Sequence, residues 1–439
     1  MTADAFFALA ERLFARLHAD EVLFVSIGVE RSDFVRFNQA RIRQAGAVQT
    51  ADLGLTLIKG QRQVDGDCVL AGDADADPAL ALDLLGRLRE RIGHVPDDPY
   101  LHFSTEPARS ERQPTTTLPD SPEAVATLLE LGKGLDLVGI WAAGDLADGL
   151  ASSIGHRHWH ASRSFNLDWS CFLDQDRALK ASYAGTEWDP HRLDDRLDEQ
   201  RRQVDVLARP ARPVEPGRMR AYLAPAAVEE LLDMLAWGGF GQRDHQTRQS
   251  PLMLLAEGKR QLSPTVTLIE DNRRGLGPGF TGEGFSLPDQ VPLIEQGRPG
   301  TLLTDARSAK EYGIPVNAAA EYPSTLSMAP GDLADDAILQ RLDTGLYIGN
   351  LWYCNWSDRN ACRITGMTLF GTFWVDNGIL AAPAPVMRFD DSLYHLLGDR
   401  LEALTQRREL RLSAETYDGR STDSTLLPGA LVSEINLAL

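Results

Sequence analysis

The sequence predicts an α+β protein with largely antiparallel sheets and a strand-rich C-terminal part. Many short runs carry β-branched or alternating apolar residues and are separated by polar or glycine-containing turns, which is typical of antiparallel strands. Amphipathic helices lie between groups of these runs, and their apolar sides need a sheet to cover them. Mixed modules, each combining helices with a sheet, are therefore expected.

Length and charge limit the classes of function. The chain has 439 residues, more than one compact domain usually holds, so two or three packed units are expected. Its net charge of -19 disfavours direct binding to a phosphate backbone. The four cysteines form no CxxC pair, and neither a signal peptide nor a stretch long enough to span a bilayer is present, so we expect a cytoplasmic protein.

The first predicted unit is an α/β module over residues 1–105. An amphipathic helix at the start is followed by four predicted strands and a closing helix. The strands are "EVLFVSIGVE", "FVRFNQARIRQ", "ADLGLTLIKG" and "RQVDGDCVL", and the closing helix is "DPALALDLLGRLRERI". The following stretch, up to Pro119, is rich in Pro, Ser and Thr, which is typical of an exposed connection.

Two further units are predicted, a central α+β module over 106–215 and a strand-rich C-terminal domain over 216–439. Ser121 and Pro122 are suited to the N-cap and first turn of a helix in the central module. A Pro- and Arg-rich stretch, "ARPARPVEPGR", precedes a helix predicted from Pro225 to about Trp237. In the C-terminal domain, the Asn-Gly pair in "FWVDNGILAAP" predicts a tight hairpin because both residues tolerate positive φ.

The C-terminal third resembles the TldD/PmbA family, which includes putative modulators of DNA gyrase. In that family a "GLYV" strand leads to a "TG" segment, a strand ending in an "NG" turn, and "PV". The corresponding segments here are Gly345 to Ile348, Thr365-Gly366, Phe373 to Gly378 and Pro385-Val386. "VRFNQARIRQAG" and "LIEDNRRGLGPGFTGEGFS" resemble further family segments, so the likeness spans nearly the whole chain.

The resemblance implies a role in a zinc metallopeptidase assembly that processes peptides or unfolded segments. A TldD-type subunit of that assembly carries zinc on an HExxxH helix, where two imidazoles bind the metal and the glutamate activates water. None of the nine histidines here is followed by glutamate. The corresponding helix region instead holds Asp233, Leu235, Ala236, Trp237 and Gly238.

The chain is therefore similar to the PmbA/TldE-type subunit, for which no catalytic residue, metal ligand or cofactor is expected. Zinc is expected only in a TldD-type partner, and the chain is expected to form a heterodimer with that partner or a homodimer. Residues expected to face substrate or partner, from the family motifs, are Glu283, Gly284, Gly345, Tyr347, Thr365 and Gly366.

The strongest competing metal signal is the run of His156, His158 and His160. Alternate residues on a strand share a face, and three imidazoles can hold zinc. A hydrogen-bonded or solvated strand is the alternative interpretation. Three hypotheses for the function remain. The chain is the partner subunit of the peptidase, a homodimeric binding or scaffold protein without proteolysis, or a divergent metallohydrolase that uses the histidine run.

Three other features have plain structural interpretations. The glycines of "GLGPGF", Gly275 to Phe280, favour a turn-rich loop over a phosphate site, because Pro278 lies within it and no helix follows. Cys354 and Cys362 resemble small buried hydrophobic residues more than a nucleophile or ligand pair. An aromatic stretch is predicted to form core or, second, an interface; it comprises Trp352, Tyr353, Trp356, Phe370, Phe373 and Trp374.

Overall fold

The computed structural model describes residues 1–174, 177–273, 276–417 and 419–438. Within these ranges the strands form two sheets, one built from strands between Val22 and Gly185 and one from strands between Gly217 and Leu437. We call these the N-terminal sheet and the C-terminal sheet. Helices pack against both, and most strand pairs are antiparallel, so the predicted α+β class is confirmed.

The N-terminal sheet is formed by the first seven strands of the described residues. They are β1 Val22–Asn38, β2 Arg41–Lys59, β3 Arg62–Val69, β4 Arg109–Arg112, β5 Asp136–Ser152, β6 Arg157–Phe172 and β7 Ala178–Gly185. Their order is β3-β2-β1-β5-β6-β4, and β7 also pairs with β6. Because β1 pairs with β5, one sheet continues across the predicted boundary between residues 105 and 106. The division of the chain into three units stays a prediction.

The predicted strand "FVRFNQARIRQ" is wrong, because the chain reverses in its middle. Gln39 and Ala40 have φ values of 51° and 52°, which makes a two-residue turn between β1 and β2. Such turns normally carry Asn or Gly, the residues that best tolerate positive φ. Neither Gln39 nor Ala40 gives that signal, so the sequence predicts three short strands where the structure has the two long strands β1 and β2.

Four helices cover one face of the N-terminal sheet. They are α1 Ala3–Phe14, α2 Ala76–Ile92, α3 Ser121–Leu131 and α4 Pro190–Leu207. The cores beneath them include the fully buried Phe6, Trp141 and Trp169. The predicted cap at Ser121 is wrong: the Asp120 carboxylate accepts the cap hydrogen bond from the Glu123 N–H at 2.9 Å. Ser121 instead accepts a hydrogen bond from the Trp141 indole at 3.1 Å.

The C-terminal sheet is formed by the remaining thirteen strands of the described residues. They are β8 Gly217–Leu223, β9 Leu268–Glu270, β10 Val291–Glu295, β11 Arg298–Pro299, β12 Thr325–Met328, β13 Gly345–Ile348, β14 Leu351–Asp358, β15 Arg363–Thr368, β16 Thr372–Asp376, β17 Ile379–Pro383, β18 Arg388–Ser392, β19 Leu401–Leu412 and β20 Ser424–Leu437. Strand β20 lies near the centre, where it pairs with β8, β12, β18 and β19.

The helices of this half are short except for the first. They are α5 Pro225–Ala236, α6 Gln242–Gln246, α7 Met253–Ala256, α8 Ala306–Tyr312 and α9 Ile338–Leu342. Helix α5 ends where predicted, and its buried Leu231 and Leu235 pack into the core of the C-terminal sheet. The predicted hairpin is confirmed, since Asn377 and Gly378 have φ values of 50° and 75° between β16 and β17.

Within the described residues, no helix combines the length and the apolar character needed to cross a membrane.

Candidate functional site

The N-terminal sheet has a polar face opposite its four helices. The register of β1, β5, β6 and β7 places on this face a set of serines, histidines, carboxylates and one amide. They are Glu30, Ser32, Asp148, His158, His160, Ser162, Ser164, Asn166, Asp168 and Ser182. Most are buried, because loops and α5 of the C-terminal half cover them. Polar groups buried in this way need partners, and these partners define how the two halves meet.

Three histidines form one contact between the halves, which we call the histidine seam. The Nδ1 atoms of His156 and His158 hydrogen-bond the hydroxyls of Ser152 and Ser110, at 2.6 and 2.7 Å. The Nε2 of His160 donates to the Leu276 carbonyl at 2.5 Å. The three imidazoles therefore have three separate partners, and no group of three metal-binding side chains occurs among the described residues.

The seam also contains Glu283 and Gly284. The Glu283 carbonyl accepts a hydrogen bond from the Ser104 N–H at 2.9 Å. Gly284 has a φ of 86°, and a Cβ atom there would lie 2.9 Å from the His156 ring. Two features that the sequence suggested separately, the histidine run and the Glu-Gly pair, thus lie in contact. Of the predicted glycine loop beside them, Gly275 lies outside the described residues.

Burial keeps the seam uncharged near neutral pH. The exposed fractions of His156, His158 and His160 are 0%, 1% and 4%. Burial lowers the pKa of all three imidazoles, and with the neighbouring His156 it lowers that of His158 to about 4. The Nε2 atom of His158 has no hydrogen-bond partner among the described residues, and the ring stacks on Phe280 with centroids 4.8 Å apart.

A second contact between the halves is centred on Arg411 of β19, and we call it the Arg411 network. The guanidinium pairs with Glu229 of α5, lies 3.5 Å from Glu409, and donates to the Ser182 hydroxyl at 2.8 Å. Arg196 of α4 pairs with the same Glu409 at 3.0 Å. Burial opposes the charge on Arg411, but the two carboxylates outweigh it, and the pKa lies above its usual value.

Helix α5 presents acidic side chains where the zinc-binding helix motif is absent. Glu229 and Asp233 lie one helical turn apart, with Glu230 beside them. Desolvation, together with the charges of Glu229 and Glu230, raises the pKa of Asp233 to about 7. Leu235 is fully buried in the core, and Trp237 and Gly238 lie beyond the helix end. This donor set does not fit a tetrahedral zinc site.

Both cysteines of the C-terminal half are poor nucleophiles. Burial raises the pKa of Cys354 and of Cys362 to about 12, so each stays a thiol at neutral pH. A Cβ atom at Gly366 would lie 2.9 Å from the Cys354 sulfur, which explains why that position has no side chain.

The other predicted site residues lie apart from one another. Tyr347 lines a cleft of about 860 Å³ between α4 and the C-terminal sheet, and its ring lies 5.3 Å from that of Tyr222. A Cβ atom at Gly345 would lie 2.3 Å from the Arg220 carbonyl oxygen, so this glycine permits close strand pairing. The Thr365 hydroxyl donates to the Phe389 carbonyl at 2.9 Å. A role in facing substrate or partner stays a prediction for all six.

Residues 41–50 of β2 form an open edge of the N-terminal sheet. Strand β3 pairs with β2 only from Asp52 onward, and side chains 41–49 are exposed on both faces. The strand behind them is firmly held, because β1 pairs with β5 as far as Phe37, whose side chain is 2% exposed. An edge of this kind offers unpaired backbone N–H and C=O groups to another extended chain.

The predicted aromatic stretch divides between core and surface. Phe373 and Trp374 are buried, whereas Trp352 and Tyr353 are 48% and 73% exposed. Trp237 is 62% exposed nearby, and the Arg359 guanidinium lies over its ring at 5.6 Å. We call Trp237, Trp352, Tyr353 and Arg359 the aromatic surface.

The Arg411 network and the acidic face of α5 are not predicted from the sequence. Two signals were present: Glu409 and Arg411 alternate on one strand face, and Glu229 and Asp233 have helical spacing. Neither signal identifies which distant element supplies the opposite charge, so the pairing could not be predicted.

Comparisons with known proteins agree on one family of folds. Residues 216–439 match a family model described as the PmbA/TldA metallopeptidase C-terminal domain. The structure is similar to that of TldE from Thermococcus kodakarensis, with a TM-score of 0.78 and 16% identity over 100% of both chains. It is also similar to a putative modulator of a DNA gyrase from Thermotoga maritima, with a TM-score of 0.77 and 15% identity over 99% of this chain and 100% of that chain.

A putative modulator of DNA gyrase from Bacteroides thetaiotaomicron gives a TM-score of 0.70 at 13% identity, over 99% of this chain and 98% of that chain. No curated protein matches the chain.

Proposed function

Because the chain belongs to the PmbA/TldD metallopeptidase family, we propose that it is the zinc-free, TldE-type subunit of a peptide-processing assembly. The observation that carries this proposal is helix α5, which offers Glu229, Glu230 and Asp233 and no histidine. Zinc and the water-activating glutamate then belong to a TldD-type partner, and the assembly acts in the cytoplasm.

The open edge of β2 supports a role in holding substrate. An extended peptide can add to a sheet edge through backbone hydrogen bonds, a mode that tolerates many side-chain sequences. On the side away from β1, residues 41–50 pair with no other strand among the described residues, and β1 and β5 hold the edge in place. Such a surface suits a processing assembly with broad substrates.

The aromatic surface supports association with a partner chain. Exposed Trp and Tyr are enriched at protein interfaces because each combines a large apolar area with a hydrogen-bonding atom. Here Trp237 directly follows the end of α5, Trp352 and Tyr353 lie on the adjacent β14, and all three are exposed. The occupant we propose is the zinc-bearing subunit, and a second copy of this chain is the alternative that the association experiment distinguishes.

The divergent-metallohydrolase hypothesis has no support from the geometry. Each imidazole of the histidine seam is directed to a different partner, and the seam is closed by Phe280 and Gly284.

Zinc analysis of the purified chain tests the proposal. We expect well below one equivalent of zinc, and the same value after His158→Ala or after His18→Ala, which alters an exposed histidine. Stoichiometric zinc that is lost with His158→Ala but kept with His18→Ala would refute the zinc-free subunit and establish the seam as a metal site.

Light scattering tests the interface. Wild-type chain mixed with a TldD-type subunit should form a dimer at micromolar concentration, and Trp352→Glu with Tyr353→Glu should weaken it by about tenfold or more. Val69→Glu, which places the same charge at a 62% exposed residue of the N-terminal sheet, should have no effect. A dimer that forms only without the TldD-type chain would favour the homodimeric scaffold.

A further inference from the structure

We propose that the open edge of β2 selects acidic segments, so that the preferred occupant is an extended peptide rich in Asp and Glu. The inference rests on the proposed function, because it names the chemistry of the peptide that this edge would hold.

The hairpin that carries the open edge is basic in an acidic protein. Residues 31–51 contain four arginines and one acid, Asp33, which gives a net charge of +3 against -19 for the whole chain. The arginines are Arg31, Arg36, Arg41 and Arg43, and all four are exposed. A local field of this sign attracts carboxylates and repels basic segments.

These arginines are free to bind a ligand. None of the four guanidinium groups makes an ion pair or a hydrogen bond with another described residue. Other arginines of the N-terminal sheet and its helices are paired, for example Arg89 with Glu21 and Arg163 with Asp145. The hairpin therefore concentrates unpaired positive charge along one edge.

The position of the charges suits an added strand. Arg41 and Arg43 lie on the edge strand itself, and Arg36 lies on its immediate neighbour, opposite Gln44. Side chains of a strand added at this edge would stand beside those of β2, and opposite charges at such positions attract. Ile42 and Val48, which are 55% and 37% exposed, offer apolar contacts along the same strand.

The edge is rigid before anything binds. The Ala40 N–H donates to the Leu137 carbonyl at 3.0 Å, which ties the tip of the hairpin to β5. Val35 and Phe37 are buried under α3 and α4. An occupant would lose its own conformational freedom, but the protein would not have to order a loop, which favours binding.

A peptide fits this surface better than a nucleic acid. The edge presents amide donors and acceptors at strand spacing, which a second peptide backbone matches and a phosphodiester chain does not. The remainder of the protein carries a large negative charge that would repel the long phosphate backbone beyond the hairpin.

Fluorescence anisotropy with three labelled peptides tests the inference. The peptides share one extended sequence and carry Glu, Gln or Lys at alternate positions. The full chain should bind the Glu peptide about tenfold more tightly than the Gln peptide, because each oppositely charged cross-strand pair favours binding by roughly 1.5- to 5-fold. The Lys peptide should bind most weakly, and added salt should reduce the differences.

A charge-matched pair of triple variants locates the effect. Arg36→Gln with Arg41→Gln and Arg43→Gln should remove the preference for Glu while leaving the affinity for the Gln peptide unchanged. The control removes three exposed arginines elsewhere, with Arg12→Gln, Arg298→Gln and Arg341→Gln, and should keep the preference. Two N-methylated Gln peptides, blocked at odd or at even amides, report whether backbone pairing contributes.

The outcomes separate this inference from the proposed function. Equal binding of Glu and Gln peptides, with loss on N-methylation, would overturn the acidic preference and leave the peptide edge intact. Absence of binding by every peptide, with and without a TldD-type subunit, would overturn both. Tighter binding of an oligothymidylate of equal charge would replace the peptide by nucleic acid. If the hairpin triple variant self-associates but still prefers the Glu peptide, the role of the arginines would instead be to prevent the open edges of two chains from pairing.

Discussion

The Arg411 network and the histidine seam join the same two halves of the protein by opposite electrostatic means. The network holds full charges on side chains that stay partly exposed, 13% for Arg411 and 19% for Glu229. The seam holds neutral imidazoles that are between 0% and 4% exposed. Counter-charges decide which form a buried group takes: Arg411 keeps its charge beside Glu229 and Glu409, whereas burial lowers the pKa of the imidazoles and no carboxylate opposes it, so they stay neutral.

The largest effect is expected from breaking the charged contact. Arg411→Met should lower the free energy of unfolding by about 3–5 kcal/mol, because Glu229 would be left as a largely buried charge without its cation, and Glu409 would keep only Arg196. Denaturant unfolding followed by tryptophan fluorescence measures the loss.

Arg220→Met is the matched control for that variant. Arg220 pairs with Glu402 through side chains that are 32% and 26% exposed, so the loss should be at most about 1 kcal/mol. Equal losses for the two variants would contradict the central position given to Arg411.

The histidine seam is expected to stabilise the protein less as the pH falls. The folded chain resists protonation of His158 down to a pKa of about 4, whereas the unfolded chain takes up that proton near the usual value of 6.5. The contribution of neutral His158 to the free energy of unfolding is therefore fully present above pH 6.5. It decreases as the pH falls towards 4, by about 3 kcal/mol in total.

Unfolding curves of wild type and His158→Gln between pH 4 and 8 measure this dependence. The difference between the two profiles isolates His158, because Asp148, whose pKa is raised to about 6 by burial, titrates in both proteins. Profiles of equal slope would show that His158 is protonated as easily in the folded chain as in the unfolded one.

A smaller effect is expected from the loop that closes the seam. Gly284→Ala should cost about 1–3 kcal/mol, because alanine at a φ of 86° is strained and its Cβ would lie 2.9 Å from the His156 ring. Gly282→Ala, two residues away, meets no atom within 4 Å and should change stability little. Similar values for both glycines would mean that the loop does not press on His156.

The smallest loss of stability is expected from a change within the N-terminal half, away from the Arg411 network and the histidine seam. Asp120→Ala should lower stability by about 1 kcal/mol, since it removes the cap hydrogen bond to the Glu123 N–H of α3. Ser121→Ala tests the alternative cap, and it should instead disturb the Trp141 indole, which would lose its acceptor. Loss of helix α3 with Ser121→Ala alone would restore the cap that the sequence suggested.

Local patterns predicted most elements of the fold. The amphipathic helices, the hairpin at Asn377-Gly378 and the helix beginning at Pro225 follow from periodicity and turn chemistry, and the structure confirms them. The turn at Gln39-Ala40 could not be predicted, because its residues lack the usual preference for positive φ. The Asp120 cap was misplaced by one residue because Asp and Ser both suit that position.

Contacts between side chains of distant segments could not be predicted from the sequence. Nothing local indicates that His156 meets Gly284, or that Arg411 meets Glu229, since these pairs are joined only when two distant segments pack together. The open edge of β2 could not be predicted for a related reason. A strand pattern predicts that residues 41–50 are extended, but whether a neighbour covers them depends on where β3 ends.

Reconstituted peptide cleavage distinguishes a zinc-free subunit from a zinc enzyme. An unstructured peptide is incubated with the chain alone, with a TldD-type subunit alone, and with both together, in the presence and absence of a chelator. The chain alone should leave the peptide intact, and the mixture should cleave it and lose activity to the chelator. Chelator-sensitive cleavage by the repurified chain alone, at a rate unchanged by the TldD-type subunit, would contradict the zinc-free role.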